Sequence, residues 1–236
     1  MRNRSRQIPT TSSAAVSSIC LSYQGGDAKF DEGDVSGITR PVTALNLPPL
    51  PPIPGDATGR NVVDVVTEQH DELLDLGELL AAAPHDQRLA GVVIAALSRH
   101  LSAEEQYLYP AVRLVVPGGE AIADRELAED HELLITLKRL ADGEPVAAGL
   151  VEGMRRHVAA DAEELLPVLV AMAPVDELIR VGNRFETAQE AAPTRPHPST
   201  PSTPPWNKVV DPAVAVLDKV RDAVTGRATY PKDLNR

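Results

Sequence analysis

The sequence predicts an all-α protein, an antiparallel up-down-up-down four-helix bundle with a short fifth helix and disordered, Pro-rich N- and C-terminal extensions. Three observations carry this. Apolar residues recur at helical spacing from about residue 60 to 192, without the strict alternation of strands. Turn signals at Pro84-His85-Asp86, Pro117-Gly118-Gly119 and Gly143-Glu144-Pro145 cut that region into helix-length pieces. Prolines crowd both flanks, with 6 in the 14 residues Pro41–Pro54 and 6 in the 13 residues Pro193–Pro205.

Taken in order, residues 1–55 read as an N-terminal extension ending in the first Pro-rich linker. It opens on Arg2, Arg4 and Arg6, but the following Thr10–Ser18 stretch is too short and too rich in serine for a secretory signal, and Ile19 is too bulky before Cys20 for a lipoprotein site. The bundle is predicted over residues 56–192. Its first helix carries Val62, Val63, Val66, Leu73, Leu74, Leu76 and Leu80. Asp86 is placed to cap the second, which carries Leu89, Val93, Leu97, Leu101, Leu108 and Val112. The third runs from about Glu120 through Ile122, Leu127, Leu134 and Leu137 to Gly143. The fourth passes Leu150, Met154, Val158, Leu165 and Val168, and a shorter fifth follows Pro174 with Val175, Leu178, Val181 and Phe185. Four rods of about 22–30 residues are roughly 33–45 Å long, and the short loops make neighbours antiparallel. Residues 193–210 read as a second linker. An amphipathic helix is predicted at 211–226, opened by Asp211-Pro212 and closed by Gly226, with a tail at 227–236. Four turns alone are marginal, so this helix should dock on the bundle or on a protein partner.

Composition excludes several functions. The 236 residues hold 23 Lys+Arg against 34 Asp+Glu, a net charge of −11, which argues against nucleic acid as a partner. The deficit sits in the bundle, with 11 basic and 26 acidic residues over 56–192, while the two ends are slightly positive. One cysteine excludes a disulfide framework and a thiolate cluster, and suits a cytoplasmic location. No apolar run reaches the roughly 18 residues of a membrane span, so no membrane partner is expected.

Histidine spacing carries the chemistry. His85 lies in a turn and His197 in a linker, but His70, His100, His131 and His157 fall one on each bundle helix. His100 and His157 share a longer pattern, a carboxylate four residues on (Glu104, Asp161) and a proline ten residues on (Pro110, Pro167). His70 to His131 is 61 residues and His100 to His157 is 57, so the bundle reads as one helical hairpin repeated. A +4 step turns about 40°, placing Glu104 and Asp161 on the faces of their histidines, while Glu105 at +5 is turned about 140° away and should be solvated. Tyr107 and Glu164 at +7 return within about 20°, which makes them candidates for a further ligand or a hydrogen-bonding support. Buried carboxylates without cations are costly; imidazole suits iron, zinc or copper, while a carboxylate can bridge two cations. The metal-ligand set is therefore His70, His100, Glu104, His131, His157 and Asp161.

These residues, with His70-Asp71-Glu72-Leu73-Leu74, Leu108-Tyr109-Pro110, Glu129-Asp130-His131-Glu132 and Leu165-Leu166-Pro167, resemble the hemerythrin-like, HHE cation-binding domain. The resemblance covers roughly residues 60–192. It implies a non-haem centre of two iron ions, oxo- and carboxylate-bridged, with His70 and His100 on one, His131 and His157 on the other, and Glu104 and Asp161 between them; manganese and zinc share this ligand chemistry. Oxygen carriers of the family have a fifth histidine where this chain has Ile135, so one iron gains an open position and reversible carriage is disfavoured. The implied function is binding, sensing or reaction with O2, peroxide or nitric oxide, with peroxide decomposition as the enzymatic branch. The alternatives are an iron- or oxygen-responsive regulatory or interaction protein acting through 211–226, and iron storage or buffering.

Overall fold

The computed structural model describes residues 58–199 and 206–235; the predicted N-terminal extension, its linker and part of the second linker lie outside them. The described residues form helices α1 (Val62–Ala82), α2 (Gln87–Ala103), α3 (Tyr109–Val115), α4 (Gly119–Ala141), α5 (Ala147–Ala160), α6 (Leu166–Met172), α7 (Val175–Ala191) and α8 (Trp206–Thr225). Two five-residue π-turns, Glu104–Leu108 and Asp161–Leu165, join α2 to α3 and α5 to α6 as continuous rods. No described helix is long and apolar enough to cross a membrane.

The helix starts follow local chemistry. Asn61 caps α1 by accepting from the Val63 and Asp64 amides, and Asp86 caps α2 by accepting from Arg88 and Leu89. Gly118, at φ 75°, makes the left-handed turn into α4 that a side chain would resist. The π-turns follow from the prolines. Tyr109 and Leu166 donate to carbonyls five residues back, Glu104 and Asp161, and each precedes a proline. Pro110 and Pro167 have no N–H, and their rings would strike the carbonyl four residues back in a regular turn, so the turn before each widens. The repeated His-to-Pro spacing thus encodes a wide turn beginning at each carboxylate.

The rods pack in a ring, α1 on α2 and α5, and α4 on α2, α3 and α5. Two cores result. One gathers Val62 and Val66 of α1, Val112 of α3, Ala123 of α4, Leu169 of α6 and Phe185 of α7. The other gathers Leu76 and Leu80, Val93 and Leu97, Leu137 and Leu140, and Leu150 and Met154. Each long rod enters both, in alternating order along the chain, and the polar cluster lies between them. The fifth helix, α7, runs 17 residues, shorter than the four rods as expected, and packs on α1, α2 and the first π-turn. Gly182 permits this approach, because a Cβ there would sit 2.3 Å from the Arg60 carbonyl oxygen.

Helix α8 begins at Trp206, five residues before the predicted start, with Pro212 inside it. It docks on α7 and the first π-turn by its charged face. Buried Asp222 accepts from Thr194 Oγ1 (2.5 Å), Arg195 Nη2 (2.5 Å) and Arg227 Nη1 (3.2 Å), and buried Asp218 faces His197 Nε2 at 3.0 Å. Residues 193 and 194, predicted as linker, are buried beneath it. The apolar stripe faces outward, with Val216, Leu217, Val220 and Val224 between 58% and 82% exposed. Stability should follow that orientation. Asp222→Ala should weaken the docking of α8 by about 2–3 kcal/mol, because two guanidinium groups lose their counter-charge. Leu217→Ser should cost less than about 0.5 kcal/mol. Hydrogen exchange at α8 amides would show both, and equal effects would overturn the assigned face.

Candidate metal centre

His70 on α1, His100 at the end of α2, Glu104 at the head of the first π-turn, His157 on α5 and Asp161 at the head of the second all converge, each no more than 2% exposed. The Nε2 atoms of His70 and His100 lie 3.1 Å apart, and those of His157 and His100 3.4 Å apart. Glu104 spans them, Oε1 at 3.2 Å from His100 Nε2 and Oε2 at 3.3 Å from His157 Nε2. Asp161 Oδ2 stands 3.6 Å from His70 Nε2. Potential donor atoms of His70, His100, Glu104 and His157 all lie within 4.8 Å of one another.

The outer atoms of the rings are held from behind. His100 Nδ1 is 2.9 Å from Gln69 Oε1, and Gln69 is paired with Gln189 of α7. His157 Nδ1 faces Asp130 Oδ1 at 3.3 Å, and Tyr109 Oη donates to Asp130 Oδ2 at 2.7 Å. Phe185 sets its ring edge-on to His100 at 6.1 Å. With its Nδ1 engaged by Gln69, His100 turns its Nε2 toward the shared centre, and His157, its Nδ1 facing the Asp130 carboxylate, does the same, the arrangement a metal-binding imidazole requires.

Charge makes the same point. Burial lowers the His70 pKa to about 4, keeping this ring neutral at ordinary pH. Burial pushes Glu104 upward, but the adjacent His100 and His157 outweigh it and hold its carboxyl well below the usual range. Burial, and then the Glu104 charge, push Asp161 well above the usual range. Burial would lower His157, yet Glu104 and Asp130 together raise it well above an ordinary imidazole. Burial likewise raises Asp130 and, with the Asp130 charge beside it, keeps Tyr109 protonated. Without a metal, His157 and Asp161 are thus the members of the cluster that hold a proton more tightly than the free side chains do. Glu104 Oε1 and both Asp161 oxygens are buried without a hydrogen-bond partner. Buried acceptors left this way are rare, and bare imidazole nitrogens about 3 Å apart repel, so the donor set fits a cation at its middle.

Not every expected residue is here. His131 is exposed on the outer side of α4 and is not brought to the cluster. The buried face of α4 is Ala123, Glu126, Asp130, Leu133, Leu137 and Leu140. Their alternating steps of three and four residues form one stripe, and His131 sits about 100° round from Asp130. The sequence reading followed Leu127 and Leu134, which are only partly buried. Ile135, on the same helix, is also outside the cluster and partly buried.

The +7 positions differ too, because the π-turns slip the helical phase by about one residue. Glu164, 58% exposed at its side chain, is paired with Arg125 of α4 at 2.7 Å. Its substitution by alanine should leave metal content and metal spectra unchanged, and a lost absorption band would return it to the ligand set. Tyr107 is buried in the apolar core beside Leu108, and Tyr109, two residues on, is the tyrosine that reaches Asp130. Glu105, expected to be solvated, is buried. Asp130, Tyr109, Gln69 and Gln189 were all missed. Only Asp130 had a usable signal, its place on the Leu133–Leu137–Leu140 stripe.

Comparison with known proteins agrees with this composition. The chain is 24% identical over 172 residues to an uncharacterized hemerythrin-like protein of Schizosaccharomyces pombe, a stretch covering 68% of this chain and 85% of the relative. No solved structure matches significantly. Residues 61–169 match the hemerythrin HHE cation binding domain, a span that contains every residue of the buried His/Glu cluster. With that match, the helical bundle and the converging imidazoles and carboxylates, residues 61–169 are similar to the hemerythrin HHE cation binding domain.

Proposed function

We propose that the domain holds non-haem iron, as a pair of ions shared by Glu104 and Asp161, and that it binds or reacts with O2, peroxide or nitric oxide. The observation that carries this is the convergence of three imidazole Nε2 atoms on Glu104, beside Asp161 oxygens without partners. Iron bound there would supply Lewis-acid and redox chemistry. Three imidazoles and two carboxylates are fewer donors than two six-coordinate ions need. The remainder favours reaction with an incoming ligand over reversible carriage.

The protein's own contribution is positional. Gln69 and Asp130 fix the rings of His100 and His157. Tyr109, protonated and 3.4 Å from Glu104 Oε2, holds a hydroxyl proton at the edge of the cluster and can donate it to an oxygen arriving there. Peroxide decomposition is the activity this geometry favours. A regulatory reading has one observation of its own, the outward apolar stripe of α8.

The deciding experiment is metal quantification of the purified protein with an absorption spectrum before and after peroxide. About two iron ions per chain, near-ultraviolet bands and repeated oxygen evolution would bear out the reading. Protein free of transition metal and unable to take up ferrous ion would end it.

A further inference from the structure

A groove of about 480 Å³ runs along the outside of the cluster, between α1 and the α5–α6 rod. One wall is Val63 and Thr67 of α1; the other is Val158, Ala162 and Val170, with Ala162 inside the second π-turn. His70 forms its floor and Asp71 lies at its rim. The residues facing each other across it are short, and His70 and Leu166 line it as well.

Its chemistry selects its occupant. No lysine or arginine lines it, so an anion finds no counter-charge. The walls are aliphatic, and the polar groups are the exposed Thr67 hydroxyl and Asp71 carboxylate, above a His70 ring only 2% exposed; together they favour a neutral molecule carrying one N–H or O–H donor. Its size matches an organic ligand better than a diatomic. A molecule of that class needs on the order of 30 Å³, whereas organic ligands occupy sites of roughly 300–1,000 Å³. The opposite flank offers no equivalent. His100 there faces a cleft of about 170 Å³ among Gln69, Glu72, Gln189 and Glu190, next to Tyr230.

We infer that the α1/α5–α6 groove is a docking site for a small uncharged organic molecule, of aromatic or branched-alkyl type with one hydrogen-bond donor, seated against His70. That this molecule is one on which the centre acts rests on the metal reading above; the docking itself does not. The two fail separately, because docking is read with and without metal.

Indole is the probe, titrated into the full chain, metal-free and zinc-loaded, with methyl NMR as the readout. Saturable shifts should appear at Val63, Val158 and Val170, and indole-3-acetate should bind at least about tenfold more weakly because its carboxylate meets no cation. Thr67→Phe and, independently, Val170→Phe should abolish saturation; both sites are exposed, so the fold tolerates them. Saturable binding to protein that takes up no metal supports the groove while removing the metal reading. Shifts that never saturate, that centre on Leu217 and Val220 of α8, or that persist in both phenylalanine variants overturn the proposal.

Discussion

Glu104→Ala should strip the protein of tightly held metal, lowering affinity by roughly 10²–10³-fold. This exceeds the 10–100-fold typical of residues that only support a ligand. Glu104 is wholly buried and faces all three imidazoles, at 3.2 Å, 3.3 Å and 3.8 Å from His100, His157 and His70. Nothing else in the cluster supplies a negative charge to all three rings. The control is His131→Ala, which should leave metal content unchanged because that ring is exposed. Elemental analysis after dialysis against a weak chelator reads both. If His131→Ala lost metal and Glu104→Ala kept it, the assigned inner face of α4 and the central role of Glu104 would both be wrong. Asp130→Asn should fall between them, since it removes the charge behind His157 and keeps the shape.

Metal loading should release protons, and affinity should therefore rise with pH. The sign follows from the raised groups. His157 and Asp161 both have pKa values pushed well above their ordinary ranges, so the metal-free cluster keeps protons on them to higher pH than the free side chains would. A cation needs the deprotonated atoms and must displace those protons. For each proton released, apparent affinity rises about tenfold per pH unit until the group's metal-free pKa is passed. His70, lowered to about 4, contributes nothing to this dependence above pH 6. Net proton release on loading is the expected result, measured with an indicator dye in weakly buffered solution. The binding energy also stabilises the fold, by about 4 kcal/mol at free metal a thousandfold above the dissociation constant. For a domain of this size that is a rise of roughly 10 °C in the unfolding midpoint. Proton-neutral loading with an unchanged midpoint would mean that the ion sits elsewhere.

How far the site could be read in advance differs by residue. His70, His100, Glu104, His157 and Asp161 were legible because each helix position and its +4 partner share a face whatever the tertiary packing does. Tyr107 and Glu164 were misplaced by a local cause. The prolines that mark the repeat also widen the turn before them, so a rotation of 100° per residue fails beyond the carboxylate. His131 was misplaced by a non-local cause. Helix α4 has two stripes of comparable hydrophobicity, and the choice between them is made by what α2 and α5 present to it; Gly153, for example, leaves room for Leu133.

Local sequence alone determined the all-helical class, the capped starts of α1 and α2, and the two histidine–carboxylate steps. These depend on 3.6-residue periodicity, missing prolyl N–H groups and capping side chains, all of which act within a turn or two. Tertiary structure decided which face of α4 enters, that α7 supports His100 through Gln189, and that α8 binds by its aspartates with its valines outward. Each is settled by complementarity between surfaces distant in the chain: burying Asp222 among two arginines is favourable only where Arg195 and Arg227 already stand.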